Sequence, residues 1–154
     1  MAATLAITMA LVFYTVGVFS ERTSGKLTLK HVVLFWLGLA CDTTDTTIMT
    51  LIAQQGASAV AGADIHGISG LLAIILMLFH AGWATFTFVR GNEKTRGAFH
   101  TFSTVVWLVW LIPYVIGLLV GIPMIHPEPV CVISTSVIAV GLIALALFIE
   151  PSRK

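Results

Sequence analysis

The chain has 154 residues, 58% of them hydrophobic and only 10% charged. An ordinary soluble domain is about a quarter charged, so the polar residues here are too few to cover a water-soluble fold. The net charge of +1, with no basic cluster, excludes a nucleic-acid binder, and two cysteines, Cys41 and Cys131, cannot build a disulfide scaffold. The composition is that of an integral membrane protein with almost no extramembrane mass.

A spanning helix needs about 20 mostly apolar residues. The charges divide the chain into five such pieces. The first covers 3–19 and ends at Glu21 and Arg22. Residues 1–4 carry no basic n-region, so this run reads as a span rather than a standard signal peptide. The second covers 31–53, the third 65–89 and the fourth 99–121. The fifth covers 130–149, behind the stop signal Pro127-Glu128-Pro129. Helices are expected throughout, because lipid offers no partner for an unpaired backbone group.

The connecting segments alternate in charge. Arg22, Lys26 and Lys30 fall in the first, Arg90, Lys94 and Arg96 in the third, and Arg153 and Lys154 in the tail. The second and fourth contain no Lys or Arg. With five spans, all eight basic residues lie on one side. The positive-inside rule makes that side cytoplasmic and places the N-terminus outside a plasma membrane.

Ionisable residues within spans are costly and mark function. On the second span, His31, Phe35, Gly38, Asp42, Asp45 and Met49 share one helical face. Asp42 and Asp45 sit in the most polar stretch of any span. Its Thr hydroxyls can bond back to the helix or across it. On the third span, His66, Gly70, Ala73, Met77, His80 and Ala84 lie within about 40° of one line. His66 and His80 are separated by about 21 Å of rise. The fourth span aligns His100, Thr104, Trp107, Leu111 and Tyr114, and Pro113 is expected to bend it. Trp107, Trp110 and Tyr114 lie too deep for interfacial belt residues alone.

Imidazole is a common ligand for haem iron in helical bundles. The absence of a Cys-x-x-Cys-His run excludes covalent attachment, so any haem is b-type. The levels of His31 and His100 match, which makes them the cross-helix pair. His80 has no histidine at its own depth. Against this stand plainer readings. His31 and His100 suit interfacial anchors, and His66 a helix-start residue. His80 suits a structural donor to Asp42, and Met49 and Met77 suit packing. Asp42 and Asp45 suit contacts between helices, or a break in the second one. No histidine pair has zinc-ligand spacing within one turn. Cys41 has no cationic neighbour to form a thiolate, and no catalytic constellation is present.

Four runs of residues carry a resemblance. They are Ala10-Leu11-Val12-Phe13-Tyr14-Thr15 with Ser20-Glu21-Arg22; Phe35-Trp36-Leu37-Gly38-Leu39 leading to Asp42-Thr43-Thr44; His66-Gly67-Ile68-Ser69-Gly70-Leu71-Leu72-Ala73 continuing to His80; and Phe99-His100-Thr101-Phe102-Ser103 followed by Trp110-Leu111-Ile112-Pro113-Tyr114. Over 5–122 the chain resembles the HsmA (heme-sensing membrane protein) family of small membrane proteins. That resemblance implies a haem-binding protein tied to haem tolerance and defence against oxidants, and His31, His66, His80 and His100 match the family's histidines. The family favours Gly where this chain has Asp45. The segment after Met124 is an addition to a four-helix core.

The expectation is therefore an all-α polytopic bundle, with a four-helix core over 1–124 and an added helix and tail over 125–154. The leading function is capture of haem b by His80, His66, His100 and His31. Asp42, Asp45, Met49, Met77, Trp107 and Tyr114 are secondary pocket candidates. One alternative is a membrane b-type cytochrome, which implies a redox partner or quinone. Another is a small transporter or proton relay through Asp42, Asp45 and His80. The expected partners are the lipid bilayer and haem, with a homo-oligomer left open and no nucleic acid.

Overall fold

The computed structural model describes residues 2–54, 63–120 and 128–149. Those residues form five helices: α1 (Ala2–Ser24), α2 (Leu29–Gln54), α3 (Ala63–Arg90), α4 (Glu93–Val120) and α5 (Pro129–Ile149). Each is long and apolar enough to cross a membrane, and the chain is a helical membrane bundle.

The short connections are built by capping chemistry. α1 ends at Gly25, whose φ of 61° is a left-handed conformation that a Cβ would strain. The Gly25 N–H donates to the Glu21 carbonyl at 3.1 Å, closing the last turn. Thr28 opens α2, its carbonyl accepting from Val32 N at 3.3 Å. His31 Nδ1 reaches back to accept from the Thr28 N–H at 3.1 Å. This is the part that Glu or Gln plays in a capping box. Asn92 opens α4, its Oδ1 accepting from both the N–H and the hydroxyl of Thr95 at 2.9 Å. Pro129 stands at the first position of α5, where its missing N–H costs nothing.

Two boundaries differ from the sequence expectation. α1 continues through Glu21 and Arg22 to Ser24, and Glu21 is fully buried rather than a loop charge. α4 begins at Glu93, ahead of the expected 99, because Asn92 caps it there. It then runs on as helix through Pro113.

α2 is also continuous through its polar stretch. Thr43, Thr44 and Thr47 each return their hydroxyl to the carbonyl four residues earlier at 2.7 Å, and Thr50 does so at 2.8 Å. Those hydroxyls are satisfied within the helix, so the Thr-rich surface can face lipid.

The helices pack in a closed ring: α1 on α2, α2 on α3, α3 on α4, and α4 back on α1. Trp36 Nε1 donates to Thr85 Oγ1 at 3.0 Å between α2 and α3, and Trp107 Nε1 to Thr15 Oγ1 at 3.2 Å between α4 and α1. Trp36 lies early in α2 and Thr85 late in α3, and Glu21 lies late in α1 opposite His100 early in α4, so neighbours run antiparallel, in up-down order. α5 lies outside this ring against α4, burying Val132, Ser136 and Val140 from one face.

The α1–α2 contact is reciprocal. The Tyr14 ring of α1 lies where a Cβ on Gly38 of α2 would stand, and a Cβ on Gly17 of α1 would come 2.7 Å from the Phe35 ring of α2. Each helix thus receives the other's aromatic ring on a glycine. Close approach through small residues is how membrane helices gain packing without a hydrophobic drive between them.

Candidate functional site

One face of α4 supplies the partner for a buried polar group on each of the three other ring helices. His100, Ser103, Trp107 and Trp110 follow one another at helical spacing over about 15 Å of rise. Glu21 Oε1 of α1 stands 2.5 Å from His100 Nδ1, an ion pair when the imidazole carries its second proton. The two atoms approach without hydrogen-bond alignment, and neither carboxylate oxygen has another partner among the described residues. His80 Nε2 of α3 shares a hydrogen bond with Ser103 Oγ at 3.0 Å. Trp110 Nε1 donates to Asp42 Oδ2 of α2 at 2.8 Å.

Around Asp42 the bundle opens. A cavity of about 270 Å³ lies between α1 and α4, in the half of the bundle where α1 begins. Asp42, Asp45, Met49, Trp110 and Tyr114 line it, with Gly70 and Ala73 forming a smooth wall on α3. Asp42 is 4% exposed and Asp45 6%. The Tyr14 hydroxyl lies beside the Asp42 carboxylate without hydrogen-bond geometry, and its ring meets Trp110 edge-on at 4.8 Å. Trp110 and Tyr114 stand 5.6 Å apart at 31°. Among the described residues Asp45 has no hydrogen-bond or ion-pair partner, and none of those lining the cavity is basic.

The histidines are placed elsewhere. His80 is fully buried, stacked parallel to Phe99 at 5.6 Å and tilted against Phe35 at 4.5 Å. Its bond goes to Ser103 rather than to Asp42. His31 is taken up by the α2 cap, and His100 faces Glu21 rather than His31. The side chain of His66, and His126, lie outside the described residues. Met77 is fully buried in the apolar core, and Trp107 joins α4 to α1. Met49 is 41% exposed and borders the cavity.

Haem is the group that the HsmA likeness implies. As packed, the three described imidazoles do not fit it. None of them lines the cavity, and His80 has its Nε2 on Ser103 and its ring packed against Phe35 and Phe99. Among the described residues, no group of three His, Cys, Asp or Glu side chains is close enough to hold a metal ion.

Tyr14, Glu21 and Ser103 escape a reading of the sequence for histidines, and Trp110 stands out there only by its depth. The signal for Glu21 is its spacing, seven residues beyond Tyr14 on the buried face of α1. Ser103 is three residues beyond His100, and Trp110 three beyond Trp107.

Comparison of the chain with protein-family models, with curated proteins and with solved structures finds no match. The residues and their geometry are what define this protein's class, a polytopic helical bundle with an acid-lined cavity among its spans.

Proposed function

We propose that the chain is a small membrane transporter or relay that takes up a proton or small cationic solute at Asp42 and Asp45. The observation that carries this reading is Asp45. Its carboxylate sits in a bundle interior, facing a cavity, with no partner among the described residues. An ionisable group in that setting is expensive, and retaining it points to work on a charge. Asp42, three residues earlier and held by Trp110, provides the second carboxylate of the site.

The alternation of basic loops supports a plasma-membrane protein with its N-terminus outside. The cavity then belongs to the outer half. Purified protein in liposomes loaded with a pH-sensitive dye tests the reading. A proton flux or cation-driven pH change is expected, lost in Asp42→Asn and Asp45→Asn. No flux, or flux indifferent to both substitutions, would overturn it.

A second reading, haem capture, is favoured by one atom. Nδ1 of His80 is buried without a hydrogen-bond partner. Binding there would require a packing in which space for a porphyrin opens beside that buried nitrogen. Haem titration followed in the Soret region tests it: a band that weakens in His80→Ala supports it, and spectra unchanged across single variants of His31, His66, His80 and His100 reject it. A reduced-minus-oxidised spectrum driven by a membrane donor separates a cytochrome from simple capture.

A further inference from the structure

The cavity has a chemistry more specific than its charge. Two carboxylates face it, and no basic residue among the described ones answers them. The rest of its lining is largely apolar or aromatic. Trp110 and Tyr114 form one wall, their rings 5.6 Å apart, and the Met49 thioether lies at its border. Trp110 is fixed with its N–H on Asp42, so an aromatic ring and a carboxylate are held side by side.

A hard metal ion needs a shell of several oxygens. Here the described residues hold no group of three His, Cys, Asp or Glu side chains close enough for a metal ion, and beside the two carboxylates the described lining offers only neutral hydroxyls such as that of Thr46. An anion meets two carboxylates. A neutral solute leaves Asp45 buried without a partner. A cation with an alkyl body satisfies each part of the site: its charge meets the carboxylates and the aromatic wall, and its carbon surface meets Met49 and Ala73. The volume of about 270 Å³ falls just below the roughly 300–1,000 Å³ of pockets for drug-sized ligands, which suits a smaller solute.

Resting on the proposed role of this cavity, we infer that its ligand is a small organic ammonium ion, held by Asp45 and Asp42 against the Trp110–Tyr114 wall. The test uses choline and its uncharged isostere 3,3-dimethyl-1-butanol as probes, titrated by calorimetry into the full chain in detergent. Choline is expected to bind at least tenfold more tightly than the alcohol. Asp45→Asn should weaken choline at least tenfold, whereas Asp45→Glu should retain most of the affinity. Tyr114→Leu should weaken it severalfold. Helical circular dichroism and melting of each variant establish that the bundle is intact.

Equal binding of the alcohol, or full choline binding by folded Asp45→Asn, overturns the assignment. Proton flux through Asp42 and Asp45 in liposomes without choline binding overturns the ligand class and leaves the transport reading standing. Absence of both overturns the two together.

Discussion

Trp110 Nε1 donates to Asp42 Oδ2 across 2.8 Å, and it is the only hydrogen bond of good geometry that this carboxylate receives from a side chain among the described residues. The tryptophan is 1% exposed and the aspartate 4%, so both groups have given up solvent to meet. A hydrogen bond to a charged group contributes about 1.5–3 kcal/mol. Trp110→Phe keeps the ring and removes the donor, and should destabilise the bundle by about that amount. In Asp42→Asn the same Trp110 substitution should cost less, because an amide oxygen is a weaker acceptor than a carboxylate. A double-mutant cycle on unfolding in mixed detergent measures the difference. A coupling of zero would remove Trp110 from the description of the site.

The ring-on-glycine contact between α1 and α2 gives a second expectation. Gly38→Ala places a methyl group into the Tyr14 ring, and overpacking of a close contact costs about 1–3 kcal/mol. Tyr14→Ala leaves a cavity and is itself destabilising. Combining the two should cost less than their sum, because the added methyl then fills vacated space. Thermal unfolding of the two single variants and the double variant decides this, and strict additivity would contradict the geometry.

At the other end of the bundle, Glu21 is fully buried and His100 is its only ion-pair partner among the described residues. Breaking a buried pair from one side is costly because it strands the remaining charge. His100→Ala should cost about 3 kcal/mol, the lower end for such pairs, since His100 stays partly open to solvent. Adding Glu21→Gln to that background should restore part of the loss. Stability that falls further in the double variant would show that Glu21 has another role.

The disposition of basic residues predicts the topology. In a background lacking Cys41 and Cys131, a cysteine at Lys26 should be shielded from impermeant thiol reagents in intact cells. One placed within 55–62 should react. The reverse pattern would invert the proposed orientation and put the cavity in the inner half of the membrane.

The spans and their buried faces are legible in the residues because charge and hydropathy set them locally. His31, Phe35, Asp42 and Asp45 on α2, and Ala73, Met77, His80 and Ala84 on α3, occupy the interior at the spacing that helical periodicity demands. Cross-helix partners are another matter. That His80 meets Ser103, or that Glu21 meets His100, depends on the relative height and rotation of two helices. Neither quantity is encoded in one helix alone. The two carboxylates on α2 could be found by their cost, but the empty space beside them could not. It arises where Gly70 and Ala73 on α3 face the thickness of Trp110 and Tyr114 on α4. His31 shows the opposite limit: a residue type that suggests iron serves to start a helix, because its ring nitrogen falls three positions after Thr28.

The seat of α5 outside the ring has a bearing on biogenesis. Among the described residues the cavity walls are contributed by positions at or before Leu118, so these lining side chains have been synthesised before α5 emerges. α5 rests beside that chamber, packed along α4, with the Arg22 side chain of α1 also donating to its Leu147 carbonyl at 3.4 Å.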